Sequence, residues 1–511
     1  MSAAPRSVAA GARALLLEFD RPGEVAAWRT AVLRALAEAR LPAPDDVVPG
    51  ARTLLLDGVD PAAVRDLLAD VVSALHEPAG TAGSVVEVPV VYDGADLEEL
   101  ARLWDLSVDD VVARHSRAEF EVAFCGFAPG FAYLLGLDVD VPRRSSPRPR
   151  VPAGSVALAG RYCGIYPTES PGGWQLVGRT SAALFDPDRE PPALLTPGSR
   201  VRFVPVDELP GPGTRPATRP PAKAPRALTV VEVRGLCTVQ DRGRFGYAHL
   251  GVPRAGALDR PAADLANRLV GNPVEAAVVE ATVGGITVRA SAAMTVAVTG
   301  AGGPLTVSGR PADRGMPLTL ARGDVLAVGP AVTGVRAYLA VAGGIAVEQV
   351  LGSRSTDVLS GLGPQPLADG AVLPVGAPHR PPPATDFTAP TPQRDPVVLR
   401  IRPGPRTEWF GEPGLAALVH TSWTVSPTGN RIGIRLSGDP VPRRCGELDS
   451  EGIVTGAVQV PPDGQPVVLL ADHPTTGGYP VIGVVEPADL AALAQARPGS
   501  SARFRLEGAI R

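Results

Sequence analysis

The sequence predicts a mainly β protein with α+β additions, in which one type of domain occurs twice and a small α+β domain lies at the N-terminus. Glycine and proline are abundant, with 57 Gly and 56 Pro in 511 residues, and this abundance indicates many turns between short strands. An internal duplication indicates the two related domains. Two amphipathic patterns near the N-terminus indicate the helices of the small unit.

The duplication is visible as an ungapped match between residues 170–178 and 475–483. Both segments contain a hydroxyl residue, a Gly-Gly pair, an aromatic residue, a spacer, two aliphatic residues and a final glycine. The match continues upstream and downstream of these segments. The copies lie about three hundred residues apart, which is too far for a solenoid repeat and favours two similar domains.

Length and composition limit the class of protein. A chain of 511 residues has room for roughly three or four domains of about 150 residues. The net charge of −4 provides no basic surface for nucleic acid, and no apolar run reaches the roughly 18 residues of a membrane span. The four cysteines are scattered singly, which predicts neither disulfides nor a thiolate metal site. With no signal-peptide pattern at the N-terminus, we expect a cytoplasmic protein.

Lysine is almost absent. Lys223 is the only lysine among 49 basic residues, and it lies in a Pro-rich segment. A P-loop, a pyridoxal Schiff base and a biotinylated lysine all need a lysine on a structured element. These chemistries are therefore excluded, and any anion site must use arginine, backbone N–H groups or hydroxyls.

The first predicted domain covers residues 1–80. Apolar runs at 13–19 and 52–56 predict strands, and amphipathic patterns at about 22–40 and 61–76 predict helices. No residue in this domain suggests catalysis. A scaffold or a dimerisation unit is the simplest interpretation.

The second predicted domain covers residues 81–206 and contains the first copy of the duplicated segment. A strand is predicted at 85–92 and a helical pattern at 96–115, within which residues 107–110 resemble a capping box. The glycines and proline of the aromatic segment 124–134 favour a tight loop. Residues 142–152 contain four arginines. A solvated loop is the more ordinary interpretation of this charge, and a surface for a carboxylate or phosphate is the functional one.

The rest of the chain is divided by two Pro-rich connections, predicted at 207–227 and 378–396. Between them, residues 228–377 read as short strands separated by turns, with one helix at 259–270. The second copy of the duplicated domain is predicted at 397–511.

Several segments resemble two known families. Those that resemble allophanate hydrolase subunit 1 are residues 127–134, 151–156 and 164–180. Those that resemble the partner family, allophanate hydrolase subunit 2, are residues 238–247, 251–259, 266–272, 337–344, 351–356, 427–433 and 470–483. The chain is thus identified as a fusion of two families whose members are usually separate subunits.

The resemblance implies two cyclophilin-like β-barrels and a choice of functions. The main one is an ATP-dependent 5-oxoprolinase, in which the two subunits and a separate third subunit open the lactam of 5-oxoproline to glutamate. A first alternative is a carboxyltransferase component that acts on urea or a related amide with a biotin carrier in trans. A second is a regulatory binding protein of the kinase-inhibitor type.

Candidates for proton transfer lie in the C-terminal segment. They are His473, Asp472, Glu451 and Glu447. Lactam opening needs a base with a pKa near neutrality, and histidine has an ordinary pKa of about 6.5. Because Asp472 and His473 are adjacent, an extended chain would direct them to opposite faces. A histidine satisfied by backbone carbonyls is an equally good interpretation of His473.

Candidates for substrate binding carry amide, guanidinium, carboxylate or hydroxyl groups. They are Asn430, Arg431, Gln459, Thr475, Thr476, Tyr479, Gln240, Asp241 and Arg179. The hydroxyls of Thr475 and Thr476 could equally cap the turn at the Gly-Gly pair. No metal site is predicted, since the histidines show neither HxH nor HExxH spacing.

The expected cofactor is ATP, used by the complex and accompanied by Mg²⁺ where a metal is needed, although this chain shows no ATP motif. The expected partners are a separate third oxoprolinase subunit and a small-molecule substrate. Nucleic acid and membrane are not expected as partners. We expect a homo-oligomer.

Overall fold

The structure is a computed structural model that describes residues 5–73, 85–211, 225–382, 395–446 and 448–507. Within these ranges the chain is mainly β, as the sequence predicted, with two seven-stranded barrels, a β-sandwich and a small α+β unit. The two predicted Pro-rich connections lie largely outside the described ranges.

The N-terminal unit is a four-stranded sheet covered on one face by two helices. Its elements are β1 (Arg6–Ala9), β2 (Ala14–Glu18), α1 (Pro22–Ala37), β3 (Asp46–Pro49), β4 (Thr53–Asp57) and α2 (Pro61–Ser73). Alternate residues of β2 and β4 face opposite sides. Leu15 and Leu17 pack under the helices around Trp28, whereas Ala14 and Leu16 point to the other face. The sheet is therefore apolar on both faces.

The first barrel follows, with strand order β12-β9-β10-β7-β6-β13-β5. Its elements are β5 (Val85–Val90), α3 (Leu97–Trp104), α4 (Val108–Arg117), β6 (Phe120–Cys125), β7 (Ala132–Leu135), β8 (Arg148–Val151), β9 (Ser155–Ala159), β10 (Tyr162–Ile165), β11 (Ser170–Gly172), β12 (Gln175–Arg179) and β13 (Arg200–Pro205). A bridge between Val91 and Arg179 joins its two edges. The barrel is thus nearly closed.

One element differs from the sequence prediction. The helix predicted at 96–115 is two helices, α3 and α4. Asp105 ends α3 in the left-handed conformation with φ 53°, and Ser107 begins α4 by accepting a hydrogen bond from the backbone N–H of Asp110 at 3.1 Å. A left-handed residue followed at once by an N-cap ends one helix and starts the next.

The middle region is a sandwich of a six-stranded and a five-stranded sheet. Its elements are β14 (Ala227–Val233), β15 (Cys237–Gln240), α5 (Arg260–Leu269), β16 (Val278–Thr282), β17 (Ile286–Ala290), β18 (Met294–Gly302), β19 (Leu305–Val307), β20 (Arg310–Pro311), β21 (Leu318–Leu320), β22 (Val325–Val328), β23 (Thr333–Val341) and β24 (Val372–Pro374). One apolar core contains residues from both sheets, among them Val230 and Val288 from one and Val279 and Leu339 from the other.

The second barrel is closed, with strand order β25-β32-β29-β30-β27-β26-β33. Its elements are β25 (Val397–Pro403), α6 (Gly411–His420), β26 (Trp423–Val425), β27 (Gly433–Ser437), β28 (Glu451–Gly452), β29 (Ala457–Gln459), β30 (Val467–Leu469), β31 (Thr476–Gly477), β32 (Val481–Val485), α7 (Pro487–Ala494) and β33 (Ser501–Leu506).

The two barrels have the same strand order, element for element. Each also carries a two-stranded ribbon outside the barrel: β8 with β11 is the first ribbon, and β28 with β31 is the second. In both barrels the strand register shifts within the duplicated segment, between Leu176 and Gly178 in the first and between Val481 and Gly483 in the second. These positions coincide in the sequence duplication, so the duplicated segments have the same fold.

The N-terminal sheet packs against the second barrel, although the first barrel follows it in the chain. Its free face contributes Ala14, Leu16 and Leu55 to a cluster with Leu469 and Val484 of the second barrel. Among the described helices, none is long and apolar enough to cross a membrane.

Candidate functional site

Residues 470–477 occupy the point where the parts of the molecule meet. The carbonyl of Ala471 accepts a hydrogen bond from the N–H of Ala255 in the middle region, at 3.0 Å. The hydroxyl of Thr476 accepts one from the N–H of Phe127 in the first barrel, at 3.2 Å. The segment that the sequence marks by its Gly-Gly pair therefore connects the second barrel to two other units.

Arg431 holds the second barrel against the middle region. Its Nε and Nη2 donate to Asp472 at 3.0 and 2.9 Å, and its Nη1 donates to Glu280 of β16 at 2.5 Å. Nη2 also donates to the carbonyl of Gly256 at 2.7 Å, and only 1% of the side chain is exposed. All three guanidinium nitrogens are therefore occupied by the protein, which gives Arg431 and Asp472 a positioning role in this conformation.

Asp241 and Gln240 join the motif segments of the middle region. Asp241 accepts hydrogen bonds from the hydroxyls of Ser353 and Ser355, both at 2.6 Å. The side-chain oxygen of Gln240 accepts from the N–H of Gly256 at 3.2 Å. Both residues also line a small cleft beside α5. The polar groups of these two side chains are therefore largely hydrogen bonded within the protein.

His473 is buried, with 7% exposure, and is hydrogen bonded at both ring nitrogens. Nδ1 lies 2.7 Å from the carbonyl of Pro474, so Nδ1 carries the proton, and Nε2 lies 3.2 Å from the hydroxyl of Thr455. Burial lowers the pKa of His473 to about 4. The imidazole is neutral at pH 7, and its partners are different from those of Asp472.

Glu451 has the properties of a proton acceptor. It is 2% exposed, and one oxygen, Oε2, accepts a hydrogen bond from Nε of Arg406 at 2.8 Å. The other oxygen, Oε1, is buried and has no hydrogen-bond partner among the described residues. Burial raises the pKa of Glu451 to about 7, although the charge of Arg406 opposes the shift. A carboxyl group with such a pKa exchanges protons readily near neutral pH.

Two further candidates lie on or beside the second ribbon near Glu451. Glu451 pairs with Gly477 across the ribbon. Thr475 directly precedes the strand Thr476–Gly477, and its carbonyl accepts a hydrogen bond from the N–H of Ile453 at 3.0 Å. The hydroxyl of Thr475 is buried and also has no partner in the described chain. Gln459 lies beside the second ribbon, since its Nε2 would be 3.5 Å from a Cβ placed on Gly477. The same Nε2 donates a hydrogen bond to the carbonyl of Tyr479 at 3.2 Å.

The remaining candidates are not part of this group. Asn430 is exposed, and its side-chain oxygen accepts from the N–H of Ile432 at 2.8 Å, as in a turn. Arg179 is exposed and forms an ion pair with Asp93 at 2.7 Å. Glu447 lies outside the described residues.

Sequence reasoning missed three features of the site. Arg406 pairs with both Glu451 and Glu18 of the N-terminal sheet. Asp357 is buried, and burial raises its pKa to about 6, with the nearby charge of Asp472 adding to the shift. Tyr133 belongs to an aromatic cluster on the outer face of the first barrel. Only the aromatic cluster had a local signal, in the run of aromatic residues at 124–134.

The aromatic cluster faces the second ribbon. Its members are Phe124, Phe127, Phe131, Tyr133, Tyr162, Tyr166 and Trp174. Tyr133 stacks on Phe124 with ring centroids 4.2 Å apart. Burial raises the pKa of Tyr133, and hydrogen bonds to Ser450 and Thr476 oppose the shift. Within the described ranges, three or more His, Cys, Asp or Glu side chains are nowhere grouped so as to hold a metal ion.

Comparison with known protein families identifies the family of this chain. The family described as "Carboxyltransferase domain, subdomain A and B" matches residues 250–506. The family "Carboxyltransferase domain, subdomain C and D" matches residues 5–195. The chain belongs to the carboxyltransferase domain family. The two matches divide the chain as the predicted fusion does, and the predicted relationship to allophanate hydrolase subunits 1 and 2 is confirmed.

Curated relatives in this family each match part of the chain. The C subunit of 5-oxoprolinase from Escherichia coli is 38% identical over 283 residues, which are 54% of this chain and 90% of that protein. The B subunit of 5-oxoprolinase from Bacillus subtilis is 49% identical over 129 residues, which are 24% of this chain and 54% of that protein. The urea amidolyase of Lachancea kluyveri is 32% identical over 55% of this chain, but the match spans only 17% of that enzyme.

Two solved structures share the fold. The crystal structure of TTHA0988 is 39% identical, with a TM-score of 0.85, and the match covers 96% of this chain and 99% of that one. The urea carboxylase of Kluyveromyces lactis is similar in fold over 76% of this chain and 36% of that one, with a TM-score of 0.52 and 22% identity. The fused arrangement therefore exists in another solved protein of the family.

Proposed function

We propose that this protein is a fused component of an ATP-dependent 5-oxoprolinase, which opens the lactam of 5-oxoproline to glutamate together with a separate third subunit. The observation that supports this proposal is the similarity of the two halves to proteins named as the B and C subunits of 5-oxoprolinase. The two halves are in contact in this chain, through Thr476 and Phe127, which is the arrangement that two cooperating subunits would need.

In this proposal Glu451 accepts the proton of the water that attacks the activated amide carbon. Its Oε1 has no partner in the described chain, and its pKa of about 7 suits a general base at neutral pH. The hydroxyl of Thr475, which also has no partner in the described chain, would donate to the oxygen on which negative charge develops. Because Glu451 is only 2% exposed, the substrate would reach its carboxyl group only after a change in conformation.

ATP and Mg²⁺ belong to the complex in this proposal. The chain has one lysine, Lys223, in a Pro-rich segment, so a lysine-based phosphate site has no residue to use. The third subunit would therefore handle ATP. Since ATP is the co-substrate, we place the complex in the cytoplasm.

A carboxyltransferase is the second candidate function, and the similarity to urea amidolyase over 309 residues favours it. This reaction needs a biotin carrier. With Lys223 as the single lysine, the carrier would be a separate protein. The kinase-inhibitor alternative has no comparable observation in its favour.

The test is a reconstitution. The purified chain is mixed with the third subunit, 5-oxoproline and Mg-ATP, and glutamate and ADP are measured. We expect glutamate only when both proteins are present, and a fall of about 10²–10⁴-fold in Glu451→Gln. Glu412→Gln, an exposed glutamate on α6, is the matched control and should retain full activity.

Two further outcomes separate the candidates. If His473→Asn abolishes turnover while Glu451→Gln does not, His473 is the proton-transfer group predicted from its sequence setting, and our assignment to Glu451 is wrong. If no combination produces glutamate, the 5-oxoprolinase proposal fails. Carboxyl transfer from carboxybiotin to urea, measured with the same protein, then becomes the assay.

A further inference from the structure

The duplicated ribbons share an unusual feature. Ser170 of the first ribbon and Thr475 at the second occupy equivalent positions in the duplicated sequence. The side-chain oxygen of each is buried, and neither has a hydrogen-bond partner among the described residues. A buried hydroxyl without a hydrogen-bond partner is energetically unfavourable. Both copies of the duplicated segment contain such a hydroxyl at the same position.

The first ribbon differs from the second in charge. Where the second ribbon presents Glu451, the first presents Arg148, which lies opposite Gly172. Arg148 and Arg144 each donate to the same oxygen of Asp96, Oδ1, at 2.8 Å. The other oxygen of Asp96 accepts from the N–H of Leu176 at 2.7 Å. Two guanidinium groups therefore lie side by side and share one carboxylate, which leaves one positive charge in excess.

Both guanidinium groups have unused donors. Nη1 of Arg148 and Nε of Arg144 are buried and without partners in the described chain. Beyond Asp96, the nearby carboxylate Glu169 is bound by a different arginine, Arg150, at 2.8 Å. Buried N–H groups of a cation are costly to leave unpaired. Their common location beside Asp96 points to an anion as the missing partner.

We propose that the first barrel carries a second binding site, in which Arg144, Arg148 and Ser170 bind the carboxylate of a small monovalent acid. A monovalent carboxylate matches the single excess charge, whereas a phosphate dianion would reverse it. The N–H donors of a guanidinium lie in its plane and suit the two oxygens of a carboxylate. The hydroxyl of Ser170 donates a further hydrogen bond to the bound oxygen.

This site is separate from Glu451 and goes beyond the proposed reaction. It assigns a role to the arginine-rich segment 142–152 other than that of a solvated loop. It also gives the duplication a chemical meaning, since one copy binds with arginine where the other presents a carboxylic acid. The two ribbons would thus have diverged to opposite charges on the same scaffold.

The experiment measures binding to the full chain alone, without ATP or the third subunit, so that its result does not depend on turnover. Isothermal titration at constant ionic strength is performed with acetate, with 5-oxoproline and with inorganic phosphate. We expect saturable binding of a carboxylate, weakened at least tenfold by Arg148→Met and several-fold by Ser170→Ala. Arg150→Met is the matched control, because Arg150 lies two residues away on the same strand and is 76% exposed, and it should bind as the wild type does.

Three outcomes would overturn the proposal. Binding that is unchanged in both Arg148→Met and Ser170→Ala would show that the carboxylate binds elsewhere. Absence of carboxylate binding to the wild type would show that these groups bind no anion, and tighter binding of phosphate than of carboxylate would contradict the assigned ligand class. Ser170→Ala keeps the test decisive if Arg148→Met fails to fold. Loss of 5-oxoprolinase activity with intact carboxylate binding would count against the proposed reaction only.

Discussion

The side-chain oxygen of Thr476 in the second barrel lies directly over Gly126 of the first barrel and accepts a hydrogen bond from the neighbouring N–H, that of Phe127, at 3.2 Å. A Cβ placed on Gly126 would overlap the hydroxyl of Thr476 and approach its Cβ to 2.8 Å. The two barrels are therefore in contact through a position that has no room for a side chain.

The first prediction concerns this contact. Gly126→Ala should destabilise the protein by about 1–3 kcal/mol, because the added methyl forces the barrels apart. The measurement is the free energy of unfolding from urea titration. Gly23→Ala is the control: this glycine lies in α1 with nothing within 4 Å of the added Cβ, so the substitution should be neutral or stabilising. Equal effects of the two substitutions would contradict the steric argument.

The second prediction concerns the buried arginine between the second barrel and the middle region. Arg431→Ala leaves the carboxylates of Glu280 and Asp472 without their shared cation, and should cost about 3–5 kcal/mol. Arg435→Ala removes an exposed arginine from the same segment and should change the free energy of unfolding by less than about 0.5 kcal/mol. An equally small effect of the two substitutions would mean that the hydrogen bonds of Arg431 do not stabilise the contact between the second barrel and the middle region.

The third prediction concerns pH and His473. Burial lowers the pKa of its imidazole from 6.5 to about 4, so between these values the unfolded chain binds more protons than the folded one. Stability should therefore fall as the pH falls from 6.5 towards 4, by up to about 1.4 kcal/mol per pH unit. His473→Asn should lose this part of the slope. Because the pKa of His249 is also lowered, the quantity to measure is the difference between variant and wild type. Parallel curves would contradict the prediction.

The fourth prediction has the opposite sign and concerns Glu451. Burial raises the pKa of its carboxyl from 4.5 to about 7, so the folded state keeps a proton that the unfolded chain releases. The stability due to this group is fully present below pH 4.5 and is lost as the pH rises to 7. Glu451→Gln should therefore be more stable than the wild type at pH 8 and equal to it at pH 4. Thermal unfolding at the two pH values tests this, and a variant that is less stable at pH 8 would refute it.

The sequence predicted the fold class because its signals are local. Turn residues and short apolar runs mark the strands, and the ungapped match of 170–178 with 475–483 is enough to identify the related domains. The boundary at Asp105 was missed because one residue in the left-handed conformation interrupts an otherwise continuous helical pattern, although the capping-box pattern at 107–110 coincides with the start of the second helix.

The candidate site was harder to predict because the residues that form its ion pairs are distant from each other in the sequence. Arg431 and Glu280 are 151 positions apart, and Arg406 and Glu18 are 388 positions apart. No periodicity links residues at such separations. The sequence therefore identified Glu451 and Thr475 as polar residues near a strand end. It could not show that burial shifts the pKa of Glu451, since Arg406 and the N-terminal sheet produce that environment.

The packing of the N-terminal sheet on the second barrel has a consequence for synthesis. Leu16 and Leu55 pack on Leu469 and Val484, which the ribosome adds more than four hundred residues later. At about 5–20 residues per second, the apolar face of this sheet waits on the order of tens of seconds for its partner. During that time the second barrel is still being synthesised, while the N-terminal sheet exposes an apolar surface that can aggregate. In a crowded cell, this is the interval in which a chaperone would be of most use to this protein.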